Sequence, residues 1–163
     1  MDGGDVKTYA GILAETLKKK ERILKMLRDF TRTQGSILNE EEFDEEAFMG
    51  CIDEKQQLLL ELEECDDGFM KIYPKVRDEF KDNKQSYRKE IEDLQRLIKS
   101  CTDLGVDIST LEEQNNLKFQ IKMSDSKQQL RGYKQSNMAA ASYYKNMAAR
   151  HQTENSYFMD KKK

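Results

Sequence analysis

Apolar residues return every three or four positions along nearly the whole chain, the spacing of one face of an α-helix. Ala10, Leu13, Leu17, Lys20, Leu24, Leu27 and Thr31 form the first such seam, widened by Ile23 and Phe30. It predicts a helix over about 5–33, with Gly35-Ser36 as its C-terminal stop. Lys20 sits on that seam and is expected to extend its amine past the apolar edge. Cys51, Lys55, Leu58, Leu62, Cys65 and Phe69 mark a second helix, about 40–66. Asn39 and Glu42 read as its capping box, and Asp66-Asp67-Gly68 as a break or kink. Proline is at home only in the first turn of a helix, so Pro74 predicts the start of a third, about 74–103, closed by Leu104-Gly105. Val76 and Phe80, then Tyr87, Ile91, Leu94, Ile98 and Cys101, are its buried positions.

A long amphipathic helix is expected over 107–149, capped by Asp107 or Ser109. Its first part, Glu112 to Gln129, is so polar that weak order is expected there without a partner, and Gly132 weakens it further. Phe119, Met123, Ser126, Leu130, Tyr133, Asn137, Ala140, Tyr144 and Met147 continue the four-three seam. No Leu, Ile or Val follows Leu130. Met and Ala pack without locking shape, so this face suits the binding of another helix. Residues 150–163 read as a basic, flexible tail.

Composition narrows the class. Charged residues make up 36% of the 163, against 37% apolar, with one Pro and no Trp. Such a chain has narrow buried stripes and a shallow core. The expected fold is all-α: an elongated antiparallel bundle or coiled-coil hairpin of three to four helices, with residues 1–106 as the bundle. No apolar run is long enough for a membrane span, and the acidic start Met1 to Asp5 lacks the apolar core of a secretory signal. A cytoplasmic protein is expected. Cys51, Cys65 and Cys101 form no CxxC pair and read as small buried hydrophobes. The net charge of −3 is polarised: Glu40 to Asp67 carries thirteen acids and one base, Lys118 to Lys163 ten bases and three acids. Both runs read first as solvated faces.

Catalytic chemistry finds no foothold in this pattern. The single histidine, His151, lies in the polar tail and reads as solvated. There is no Glu-x-x-His pair, no phosphate-cradling Gly-rich loop and no thiol or hydroxyl with a base beside it. Neighbouring carboxylates such as Glu63 and Glu64 point about 100° apart on a helix and do not face each other. No catalytic residue, cofactor or metal is expected. The lysines near the C-terminus are scattered among Met and Ala without forming a stripe, which argues against nucleic acid.

Three segments carry a family resemblance: LKKKERILKML, CIDEKQQLLLELEECDDGFMKIYPKVRDEF and the closing SYFMDKKK. Together they resemble the flagellar export chaperones of the FlgN family, over roughly Val6 to Gly105 and the last eight residues. The polar span from Glu112 to Gln129 departs from that pattern. The resemblance implies a cytosolic, non-enzymatic chaperone of type III secretion. It would bind the terminal helices of hook-associated (hook–filament junction) proteins, block their premature assembly and deliver them to the flagellar export gate, with a homodimer left open as its assembly state. It further implies client contact through the C-terminal helix, here Leu130, Tyr133, Met138, Ala141, Tyr143, Tyr144 and Met147. Two alternatives stay open: a chaperone for another secretion substrate such as the filament cap, and a structural coiled-coil scaffold. A free C-terminal stripe is expected of a chaperone, and a committed one of a scaffold.

Overall fold

The computed structural model describes residues 2–124 and 137–151. The described residues are all-α, without strands. Helix α1 spans Gly3–Asn39, α2 Glu45–Asp82 and α3 Arg88–Lys122, and α4 covers 137–151. None of the described helices is long and apolar enough to cross a membrane.

Local chemistry sets the helix starts. The Asp2 carboxylate accepts from the Gly4 N–H at 3.3 Å and opens α1, and Asp44 accepts from the Ala47 N–H at 3.0 Å and opens α2. Each satisfies a backbone donor that the helix itself leaves unpaired. Asp44, rather than Asn39, is therefore the cap of α2.

The expected breaks are not breaks. α1 runs through Gly35 to Asn39 because that glycine meets a neighbouring helix: a Cβ there would lie 2.9 Å from Asn115 Oδ1 of α3. α2 runs unbroken through Asp66-Asp67-Gly68, since Asp66 turns inward to an ion pair with Lys20. Pro74 lies inside α2, not at a helix start. An interior proline costs about 3 kcal/mol, and the buried Phe69, Tyr73, Val76 and Phe80 on either side hold the helix in place. The expected third helix is thereby divided between α2 and α3, with Leu104 and Gly105 in the interior of α3. The polar stretch after Glu112 is helical as far as Lys122. Its remainder, with Leu130 and Tyr133, lies outside the described residues.

The helices run up, down, up and down. α1 packs along both α2 and α3, which touch each other far less. Three core layers follow along the axis. Val6, Ala10, Leu13 and Leu17 meet Phe69 to Phe80 and Tyr87 to Ile98 at one end. At the other, Ile37 and Leu38 meet Phe48, Cys51, Ile52 and Phe119, where Phe48 and Phe119 stack with ring centroids 5.3 Å apart. In the middle layer alone, α4 fills the space between α2 and α3, placing Ala140, Tyr144 and Met147 against Leu24, Leu27, Leu58, Leu62, Leu104 and Ile108.

Leu24 and Leu62 are fully buried there. Leu24→Ala and Leu62→Ala should each cost about 2–5 kcal/mol, because the cavity adds to the lost transfer energy. Urea titration followed by circular dichroism measures this, and a loss under 1 kcal/mol at both sites would contradict the packing.

Candidate functional site

α4 is a helix with two working faces. Its inner face carries Ala140, Tyr144, Met147 and His151, each buried. The seat for Met147 is Gly105 of α3: a side chain at that position would occupy the space of the Met147 methyl. The partly buried Tyr143 turns toward α2, where its hydroxyl donates to Asp66 Oδ2 at 3.0 Å. Burial, then the Asp66 charge, pushes the Tyr143 phenol up, and burial does the same for Tyr144.

The sequence-predicted client set is therefore divided. Tyr144 and Met147, expected on a free stripe, are committed to the bundle's own core. Met138 and Ala141 face outward, Met138 with 71% of its surface exposed. Leu130 and Tyr133 fall outside the described residues.

The outer face of α4 lines an open groove against α3. Gly105, Val106, Ser109, Thr110 and Glu113 form one wall and Ala141, Lys145 and Ala148 the other, with Tyr144 at the floor, around about 410 Å³. Both walls have helical spacing. Val106, Thr110 and Glu113 recur by four and three along α3, and Ala141, Lys145 and Ala148 by four and three along α4; the same spacing continues beyond the groove to Leu117 and Ile121 on α3 and back to Met138 on α4. Val106 is 54%, Leu117 61% and Ile121 81% exposed, an uncommon run of bare aliphatics on one helix. Small residues on both walls let a third helix approach closely, and the aliphatic rim offers it apolar area. The sequence signal for this wall existed, since 106, 110, 113, 117 and 121 repeat at helical spacing. It was masked by the stronger inner seam of Leu104, Ile108, Glu112, Asn115 and Phe119.

Two buried polar clusters brace α4 from beneath. In the first, the Lys55 ammonium donates to Glu112 and, at 2.8 Å, to Gln34 Oε1, while Thr31 donates to Glu112 at 3.4 Å. Asn115 donates to the Thr31 carbonyl at 2.8 Å. Burial pushes the Lys55 amine below its usual range, opposed by the Glu112 charge. Ala140 and Asn137 of α4 lie over this cluster, across a cavity of about 20 Å³ with room for little more than a water molecule. In the second, Asp66 Oδ1 accepts from Lys20 at 2.7 Å, and Asp66 Oδ2 accepts from Tyr143 and, at 3.4 Å, from Arg150.

His151 belongs to this second cluster. It is buried, 2.9 Å from Lys20 Nζ and 2.9 Å from Thr102 Oγ1, and so is not the solvated tail residue its position suggested. Lys20 likewise does not extend to water; it is 2% exposed. The three cysteines are free and buried, and burial pushes the Cys101 thiol up to about 12, which makes it a poor nucleophile.

Comparison with protein-family models, with curated proteins and with solved structures found no match.

Proposed function

We propose that this protein is a non-enzymatic, cytoplasmic export chaperone for flagellar hook-associated proteins. The client's terminal amphipathic helix lies in the groove between α3 and α4, is kept from assembling there, and is delivered to the export gate. The observation that carries the reading is the open groove itself, two facing walls at helical spacing with Val106 and Ala141 exposed, next to the bare Leu117, Ile121 and Met138 on the same two helices. The resemblance of the segments around Asp53 to Tyr73 and of the closing SYFMDKKK supports the client class. Burying five or six such side chains, at about 1.5 kcal/mol each before ordering costs, corresponds to micromolar to nanomolar binding.

The test is titration calorimetry with a peptide spanning the terminal helix of a hook–filament junction protein. The wild-type chain should bind it. Val106→Asp combined with Ala141→Asp should weaken binding at least about 100-fold, since each puts a charge into a desolvated helix contact. Both positions are exposed in the free protein, so its melting temperature should move by only a few degrees. Unchanged affinity in the double variant would place the client elsewhere, and no binding by the wild type would end the chaperone reading.

The burial of Tyr144 and Met147 favours one second reading, a structural scaffold whose C-terminal face is already committed. A scaffold would self-associate through the same outer groove. Sedimentation showing a stable oligomer that Val106→Asp dissolves would support it over client binding.

A further inference from the structure

We propose that docking of α4 onto the bundle is acid-labile, with His151 as the titrating latch: the neutral ring fits between Lys20 of α1 and Thr102 of α3, and its protonation expels the helix. The hydrogen-bond roles leave one arrangement. An ammonium has no lone pair, so Lys20 Nζ must donate, and His151 Nε2 accepts at 2.9 Å and carries no proton. The ring proton is therefore on Nδ1 and is donated to Thr102 Oγ1, whose own hydrogen goes to the Ile98 carbonyl at 2.9 Å. Each of these three hydrogen bonds then has one donor and one acceptor. A second ring proton on Nε2 would point at the Lys20 ammonium with nothing to accept it.

The charges around the ring do not relieve that conflict. From α1 come Lys20 and, further along, Glu21, which is held by Ser100 and Lys25. From α2 come Cys65 and Asp66, the carboxylate already accepting from Lys20, Tyr143 and Arg150. From α3 come Cys101, and Lys99 and Asp103, which pair with each other on its exposed side. Arg150 precedes the histidine on α4. Burial first, then Lys20 and Arg150, lowers the docked His151 to about 3, against 6.5 for a solvated imidazole.

The direction follows from these two values. A detached α4 takes up a proton as the pH falls through 6.5, whereas the docked one does not until about 3. Protons therefore favour release, and docking weakens about tenfold for each pH unit across that window. The inner face of α4 and the groove wall it supplies to α3 are lost together.

Because His151 is the chain's single histidine, its imidazole resonance and the Met147 methyl resonance can be followed by NMR in the full-length protein from pH 7.5 to 4.5. The Val76 methyls, in an end layer built without α4, report whether the bundle itself stays folded. The expected result is loss of the docked Met147 signal as the pH falls, by up to about 100-fold in docking equilibrium at 4.5, with Val76 unchanged. In His151→Gln the side-chain amide cannot titrate and its oxygen can accept from Lys20, so docking should persist across the same range. A wild-type Met147 signal that keeps its docked position with a titrating His151 near 6.5 would overturn the proposal. So would an identical acid loss in His151→Gln. No client enters the measurement, so its outcome is independent of what the outer groove binds.

Discussion

Glu112→Ala should lower the stability of the protein by about 3–5 kcal/mol, the cost of leaving a buried cation without its partner. Glu112 is 3% and Lys55 7% exposed, and the remaining neighbour of the Lys55 amine is the amide oxygen of Gln34. Thr31 would also lose its carboxylate, although its bond to the Leu27 carbonyl at 2.7 Å remains. The pair is not expected to be the best use of the site: Lys55→Met with Glu112→Leu should recover most of the loss, because two charges no longer need desolvation. Denaturant titration of the single and double variants measures both effects. If the single variant loses under 1 kcal/mol, Lys55 reaches water and the cluster is not the closed one described.

Met147→Asp should release α4 and leave the rest standing. The methionine is fully buried over Gly105, and an aspartate there would meet Leu104 and Ile108 with no donor to hold it. Once the cost exceeds the docking energy of α4, the helix detaches, and the penalty stops growing. The end layers contain no α4 residue and hold α1, α2 and α3 together independently. Hydrogen exchange should therefore show loss of protection over 137–151, the middle layer loosened, and the end layers protected as before. Gly105→Leu should reproduce the effect from the opposite wall. Cooperative unfolding of the whole chain in either variant would show that α4 is indispensable to the bundle, and would set aside a mechanism in which it moves.

The burial of Met147 reverses what the C-terminal stripe alone suggested. Read as a sequence, Tyr144 and Met147 belonged with Met138 and Ala141 on a face waiting for a partner. In the structure the first two complete the core beneath α4, Ala141 lines the groove and Met138 stands exposed near the start of α4. A short Met- and Ala-rich helix has no property in its own residues that says which side meets its own chain. That depends on the gap between α2 and α3, which is created by α1 lying against both.

What the sequence determined by itself is the class of fold and the register of its seams. Leu13, Leu17, Leu24, Leu58, Leu62, Ile91, Leu94 and Ile98 were all legible as core and all are buried, because a helical period of 3.6 residues dictates which side chains share a face. Helix ends and polar partners were decided only by tertiary structure. Gly35, Gly68, Pro74 and Gly105 carry the local marks of a helix boundary, yet each is carried within a continuous helix. At Gly35 and Gly105 the missing Cβ makes room for Asn115 and Met147, and at Pro74 the flanking core outweighs one lost hydrogen bond. Lys20 and Lys55 stood on apolar seams, and Glu112 opened a stretch read as polar. Their explanation lies in Asp66, Gln34 and His151, residues up to 131 positions away that only folding brings within hydrogen-bond reach.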